Sequence, residues 1–247
     1  MRERLSEMTR WLDEHRRVAV TVGVTIPVVV VLAVIAIVFT RTNPVDDHAY
    51  DDPILSINDI PARTFIGWEE LDVEGRPETA ATPDRMRAPD NSQCVPGGSL
   101  QTDVQKMVVS GDKWSGSRFV NPGAGQVINV QLSNSTSTDP AVIDGWLEAC
   151  TQTRLVVDDG AEQQLRLASL PISPAFYRLD DARVYAVTVA GDRATTTLYG
   201  WGRAGDVTVQ VDYTFAGEPT DNAIAQFDVV WRAQAGKLVG MQEAGLL

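Results

Sequence analysis

The longest apolar segment of the chain lies near its N-terminus. Residues 18–40 form a run of 23 residues without a charged side chain. As an α-helix, this run would extend about 34 Å, which is enough to cross a hydrocarbon core about 30 Å thick. It is longer than the apolar region of a cleaved signal peptide, and no Ala-x-Ala cleavage motif follows it. The pattern predicts an uncleaved transmembrane helix over residues 18–40.

The charged residues on either side of this run predict its orientation. Five arginines precede it, whereas acidic residues crowd the junction that follows it. Because basic residues remain on the cytoplasmic side of a membrane span, we expect residues 1–17 to be a cytoplasmic tail. Residues 41–53, which hold acidic residues and prolines, are interpreted as a solvated stalk, and residues 54–247 as one extracytoplasmic domain. The sequence thus predicts a single-pass protein of the cell membrane.

Beyond the stalk, alternating apolar and polar residues predict an antiparallel β-sheet. The predicted strands are residues 104–110, 118–120, 126–132, 154–157, 162–168, 183–190, 194–201 and 207–215. Turn residues separate several of them, including Asp-Gly at 159–160. Residues 75–99, with four prolines and three glycines, are interpreted as a long loop.

Two helices complete the predicted domain. The first begins at Asp139-Pro140, with proline at its first position. One apolar face follows at helical spacing, formed by Val142, Ile143, Trp146, Leu147 and Cys150. Residues 220–234 fit a helix or a strand, and the helix is favoured because polar residues precede it and Gly236 suits its end. The sequence therefore predicts an α+β fold, an antiparallel β-sheet packed with two helices and preceded by one transmembrane helix.

The chain contains two cysteines, Cys94 and Cys150, and both lie in the predicted extracytoplasmic domain. An oxidising compartment favours a disulfide between them, which would fix the long loop to the first helix. The alternative is two buried free thiols.

Composition disfavours several classes of function. The net charge is −12 at pH 7, and a surface of that sign repels the phosphate backbone of nucleic acids. The two histidines, His15 and His48, lie in the predicted tail and stalk. The folded domain therefore lacks the residue on which the common hydrolase triads and zinc sites depend. We expect no catalytic residue, no metal site and no cofactor.

Adjacent acidic residues leave one enzymatic alternative. The pairs are Glu69-Glu70, Asp158-Asp159 and Asp180-Asp181. A glycosidase needs two carboxyl groups that face each other across a sugar. These pairs are instead neighbours in sequence, in turns or loops where solvated acids are common. A carboxylate-dependent hydrolase is therefore the less favoured interpretation.

Tryptophans are the remaining candidates for a binding site. Aromatic walls are typical of ligand clefts, although tryptophans more often belong to the core. We take Trp114 and Trp201 as candidate ligand-binding residues. Gly200 and Gly202 flank Trp201, which suggests that another group approaches the backbone closely there.

Several short motifs carry a resemblance to a known family. They are Ile57-Asn58-Asp59-Ile60-Pro61, Cys94, Trp146-x3-Cys150, the glycine-rich strand pair over residues 198–215, and residues 231–238. Together they resemble the extracytoplasmic sensor domain of actinobacterial PknH-type serine/threonine kinases and related membrane-anchored proteins. The resemblance implies an α+β domain with a cleft that binds a ligand of the cell envelope. This chain departs from the family because it can form one disulfide rather than two, and because the 17 residues before the span contain no kinase domain.

The leading hypothesis from the sequence is a non-enzymatic, membrane-anchored sensor-like domain that binds an envelope ligand or a neighbouring membrane protein. The alternative is an accessory subunit of an envelope secretion or lipid-export complex. An exposed apolar patch would favour the accessory subunit, whereas a concave pocket with aromatic walls would favour the sensor.

Overall fold

The computed structural model describes residues 42–43, 50–61, 65–73, 75–77, 86–135, 137–157, 160–171 and 178–247. The predicted cytoplasmic tail and transmembrane helix, residues 1–40, lie outside these ranges. Within the described ranges, no helix is both long enough and apolar enough to span a bilayer. The membrane span over residues 18–40 therefore stays a prediction.

The centre of the domain is an antiparallel sheet. Its strands lie in the order β2 (Glu69–Leu71), β5 (Trp114–Asn121), β6 (Gln126–Ser133), β11 (Val207–Ala216), β10 (Thr195–Ala204), β9 (Asp180–Ala190), β8 (Glu162–Ser169), β7 (Gln152–Val157) and β4 (Met86–Arg87). A separate two-stranded pair joins β1 (Thr42–Asn43) to β3 (Arg76–Pro77). The antiparallel sheet predicted from alternation is confirmed.

Three α-helices cover the sheet: α1 (Ser99–Val109), α2 (Ala141–Ala149) and α3 (Asp221–Glu243). The side chains of a strand alternate between its two faces, so each face of the sheet has its own core. Val209, Val211 and Tyr213 of β11 pack on the side of α3, where Phe227 and Trp231 are fully buried. The opposite face packs against α1 and α2, and we call it the α1/α2 face. The described fold is thus three layers, with helices on both sides of the sheet.

Helix α3 resolves the ambiguity over residues 220–234 in favour of the helix. Thr220 caps its N-terminus, because the Thr220 hydroxyl accepts a hydrogen bond from the Ala223 amide at 3.2 Å. The helix lies close against β10: a Cβ placed at Gly200 would lie 2.6 Å from the Trp231 ring. Only glycine fits at that position without a shift of the helix.

Residues 104–110 are helical, so the strand predicted there is wrong. They belong to α1, in which Val104, Met107 and Val108 are buried. Their spacing of i, i+3 and i+4 is that of one helix face. The helix starts after Gly98, inside the segment that was interpreted as a long loop. The described part of the domain accordingly holds three α-helices rather than the two predicted.

Cys94 and Cys150 form a disulfide, as predicted, with Cα atoms 5.5 Å apart. Cys94 ends a short 3-10 turn before α1, and Cys150 directly follows α2. The bridge therefore ties together the two helices of the α1/α2 face. Closing a loop with a sequence separation of 56 residues stabilises the fold by about 4 kcal/mol in the chain-entropy model.

Part of the segment interpreted as a stalk packs on the domain. Tyr50 and Pro53 are buried, and Gln234 of α3 holds the residues that follow. The Gln234 amide donates to the Pro53 carbonyl at 3.0 Å and accepts from the Leu55 amide at 2.8 Å. These contacts fix the entry of the chain into the fold. The division into stalk and domain at residue 53 stays a prediction.

Candidate functional site

Polar side chains line the middle of the α1/α2 face, where a core would normally be apolar. The strand register places Arg118, Asn129, Asp212 and Tyr199 side by side across β5, β6, β11 and β10. The neighbouring row across the same strands consists of Gly116, Gln131, Gln210 and Trp201. We call these two rows, together with Trp114, the polar tract.

The two tryptophans predicted as ligand-binding residues lie at opposite sides of the polar tract. Trp114 is 2% exposed, and its indole lies over Gly116, where a Cβ would overlap the ring. The indole N–H of Trp114 donates to Gln131 at 3.4 Å. Trp201 is fully buried on the same sheet face, across Gln131 and Gln210 from Trp114. The structure brings both residues to one region, and their part in binding stays a prediction.

The glycines beside Trp201 have a structural explanation. Gly200 and Gly202 face the opposite side of the sheet from Trp201. Gly200 accommodates the ring of Trp231, and a Cβ at Gly202 would lie 3.0 Å from Leu179. The groups that approach this backbone are therefore side chains of the protein itself.

Asp212 is the buried charge of the polar tract. It is 1% exposed, and its Oδ2 accepts a hydrogen bond from the Asn129 amide at 2.7 Å. Burial raises the pKa of Asp212 from 3.8 to about 6, because removal from water disfavours the charged carboxylate. Hydrogen bonding from Asn129, a polar interaction with Gln210 and the positive charge of Arg118 oppose that rise. The carboxyl group thus titrates near neutral pH.

Aromatic rings lead from α2 to Asp212. Trp146 contacts Tyr185 edge to face at 5.9 Å, and Tyr185 stacks on Tyr199 at 5.1 Å. Tyr199 lies opposite Asp212 in the sheet. Burial and the charge of Asp212 both raise the pKa of the Tyr199 phenol, which therefore remains protonated at neutral pH.

One side of the polar tract remains open to solvent. Gly116, Arg118 and Tyr199 keep partial exposure. So do Val127 and Thr197, which belong to the next row of the same face. The other residues of the polar tract are buried because α1 packs across β6 and β11. The tract therefore has a partly exposed edge, and the rest of it is covered.

Other features of the described residues lie away from the polar tract. A cleft of about 680 Å³ lies where Tyr50–Pro53 meet the turn between β10 and β11 and the last residues of the chain. The acidic pairs Glu69-Glu70 and Asp180-Asp181 are exposed, and Asp158-Asp159 lies outside the described residues. Across the described ranges, no group of three or more His, Cys, Asp or Glu side chains is arranged to hold a metal ion.

Comparison with solved structures finds the extracellular domain of PknH from Mycobacterium tuberculosis. The two chains share 13% identity with a TM-score of 0.47, over 82% of this chain and 98% of that chain. No family model matches the sequence, and no curated protein matches it.

Asp212 and its polar neighbours were not among the candidate site residues predicted from the sequence. Residues 207–215 alternate strictly, which predicted a strand and gave their polar members no role. Helices α1 and α2 cover that face instead, and they bury Gln210 and Asp212. The available signal was the content of the polar positions: two threonines, a glutamine and an aspartate in β11 opposite an asparagine and a glutamine in β6.

Proposed function

We propose that the chain is a single-pass, non-enzymatic protein of the cell envelope, whose extracytoplasmic domain binds a small ligand in the polar tract. The observation that carries this proposal is the set of polar side chains buried beneath α1. Several of their atoms have no hydrogen-bond partner among the described residues. Burying polar groups costs free energy, and a stable core needs none of them. Such an arrangement is typical of binding sites, in which a few polar groups among aromatic walls fix a ligand.

The motif resemblance to the PknH-type sensor domains agrees with this proposal. It implies an extracytoplasmic cleft for an envelope ligand. The predicted topology places the domain on the side of the membrane where such a ligand would be met.

A membrane-protein subunit would need a different surface. In the described residues, the large apolar side chains that are well exposed are Ile66, Leu71, Leu246 and Leu247. They occur in two pairs, one at or just before β2 and the other at the last two residues of the chain. Two such pairs support an extended apolar docking patch less than the polar tract supports ligand binding.

Extraction of the full-length protein from its own membranes tests the proposal. Mass spectrometry of the purified protein should find a co-purifying molecule in proportion to the protein. Arg118→Gln, which removes the partly exposed charge of the polar tract, should reduce its amount at least tenfold. Arg154→Gln is the matched control, because Arg154 is exposed on β7 and pairs only with surface acids.

Two results would contradict the proposal. One is a wild-type protein that carries no molecule in proportion to its amount. The other is equal occupancy in wild type and Arg118→Gln, which would place the ligand elsewhere.

A further inference from the structure

Four buried side-chain atoms of the polar tract and its edge have no hydrogen-bond partner among the described residues: Arg118 Nε, Trp201 Nε1, Thr208 Oγ1 and Asp212 Oδ1. The last three belong to side chains on the α1/α2 face of the adjacent strands β10 and β11. Trp201 lies directly opposite Gln210, and Thr208 and Asp212 are two residues to either side of Gln210. Their Cα atoms are therefore diagonal neighbours of Trp201, about 7–8 Å away. Thr208 and Asp212 are four residues apart on β11, so their Cα atoms are about 13 Å apart, with Trp201 between them on the neighbouring strand.

Their hydrogen-bonding capacity defines the group that would complement them. The indole N–H only donates, a carboxylate oxygen accepts, and a threonine hydroxyl does both. A ligand must therefore offer acceptors to Trp201 and Arg118 and a donor to Asp212. Hydroxyl groups meet both demands, because each hydroxyl donates and accepts. Hydroxyls distributed along a ligand about 13 Å long would reach from Thr208 to Asp212.

The charge of the tract argues for a neutral ligand. Arg118 and Asp212 face the same row and have opposite charges. An anionic ligand would meet the Asp212 carboxylate and a chain with a net charge of −12. A cationic ligand would leave the indole N–H of Trp201 without an acceptor. Neither an anionic nor a cationic ligand therefore complements all of the unpaired atoms.

The aromatic residues supply flat apolar surfaces beside these polar atoms. The Trp114 indole covers Gly116 at one side, and the stacked pair Tyr185 and Tyr199 lies at the other. Rings of this kind combine an apolar face with a polar edge. A sugar ring has the matching character, since its C–H groups form an apolar face and its hydroxyls surround it.

We infer that the polar tract takes a neutral, hydroxyl-rich ligand, a sugar or a glycan segment, whose hydroxyls bond to Trp201, Thr208 and Asp212. This inference rests on the proposed function, because it names the ligand class of the same site. Gly116, Arg118 and Tyr199 mark the side from which the ligand enters. Trp201 and Asp212 are 0% and 1% exposed, so binding also requires α1 to yield locally above the sheet.

Binding of defined sugars to the full-length protein in nanodiscs tests this inference. Maltotetraose, mannotetraose and chitotetraose serve as neutral probes, and tetragalacturonate serves as an acidic probe of similar size. At least one neutral probe should bind and change the tryptophan fluorescence, while the acidic probe should bind at least tenfold more weakly. Nanodiscs with and without digalactosyl diacylglycerol distinguish a glycolipid headgroup from a free glycan, and binding of either supports the ligand class.

Thr208→Val removes one unpaired hydroxyl and should weaken binding of the neutral probe at least tenfold. Ser117→Ala is the matched control: Ser117 Oγ is also buried without a partner in the described part of the chain, but it is on the opposite face of the sheet. It should leave binding unchanged. If Thr208→Val fails to fold, as judged by thermal unfolding, Asp212→Asn replaces it, with the same expected loss of binding.

Binding of the acidic probe alone, or binding that Thr208→Val and Asp212→Asn leave unchanged, would overturn the inference. Failure of every neutral probe would also overturn it, and water alone would then be the partner of these atoms. The proposed function would still stand if another co-purified molecule were lost in Arg118→Gln. If no neutral probe binds and no co-purified molecule is lost in Arg118→Gln, both the proposed site and its ligand class are wrong.

Discussion

At the scale of the residue, Asp212 shows what the buried polar tract costs the fold. Its carboxyl group is removed from water, and one oxygen has no partner within the described structure. Asn129 and Arg118 compensate only in part, since the pKa of Asp212 is still raised to about 6. The charged form is therefore stabilised less in the folded chain than in the unfolded chain. Asp212 therefore lowers the stability of the fold at neutral pH.

Asp212→Asn should stabilise the protein at neutral pH and remove one component of its pH dependence. Because the folded pKa lies above the unfolded value, the contribution of Asp212 to stability is fully present below about pH 4 and is lost as the pH rises through about 6. A pKa moved from 3.8 to about 6 corresponds to on the order of 3 kcal/mol. Denaturant unfolding at pH 4, 6 and 8 should show that the free energy of unfolding of the variant rises relative to that of wild type as the pH rises.

Asp144→Asn provides the control for this measurement. Asp144 of α2 accepts two hydrogen bonds from the Arg183 guanidinium, at 2.7 and 2.8 Å, and this lowers the pKa of Asp144. Its contribution to stability is therefore present above the unfolded pKa and is lost as the pH falls, opposite to that of Asp212. A difference between Asp212→Asn and wild type that is flat from pH 4 to 8 would show that Asp212 is not buried as described.

At the scale of the element, the sequence predicted the strands better than it predicted what covers them. Residues 126–132, 183–190 and 207–215 were identified as strands because polar and apolar positions alternate there, and the structure agrees. Alternation identifies one apolar face of a strand, and the polar face of such a strand is commonly solvated. In β11 the second face is covered by α1, so the polar residues Gln210 and Asp212 are buried as well.

Helix α1 was missed for a related reason. Val104, Met107 and Val108 fit a helix face, yet the apolar run over residues 107–109 also suits a short buried strand. Periodicity over so few residues does not separate the two structures. The deciding contacts are tertiary, because α1 is packed on β6 and β11 and tied through Cys94 to the end of α2. The polar tract depends on this cover, so it could not be predicted from the local pattern.

Gln234 provides a test of how α3 holds the start of the domain. Replacing it by leucine should leave the Leu55 amide and the Pro53 carbonyl without their partner. Two buried backbone groups without hydrogen bonds should lower the free energy of unfolding by about 2–4 kcal/mol. Amide hydrogen exchange at Leu55 should also accelerate. Gln242→Leu, at an exposed position of the same helix, should change stability by less than about 0.5 kcal/mol.

Equal stability of Gln234→Leu and Gln242→Leu would contradict this description of α3. It would mean that residues 53–55 do not depend on the helix for their position. The chain would then enter the domain through a loosely held segment, as the stalk interpretation supposed.

At the scale of the whole molecule, the fold contains the proposed binding site, and the sequence predicts the side of the membrane on which that site lies. The α1/α2 face holds the polar tract, and the α3 face carries an apolar core that includes Trp231 and Tyr213. Both faces carry an apolar core, and the proposed binding site lies on the α1/α2 face. A disulfide within the α1/α2 cover suits an oxidising compartment, which agrees with the predicted extracytoplasmic position of residues 54–247.

The predicted topology can be tested by protease and thiol labelling on the same cells. Protease added to intact spheroplasts should digest residues 54–247 and spare an N-terminal tag, while a cytoplasmic marker protein remains intact. Cys94 and Cys150 should resist labelling under denaturing conditions until a reductant is added. A variant without residues 1–40 is the matched control: it should remain in the cytoplasm, escape the protease, and label readily because its thiols stay reduced. Protection of the full-length domain from external protease, together with ready labelling of both cysteines, would place it in the cytoplasm and remove the basis for an envelope ligand.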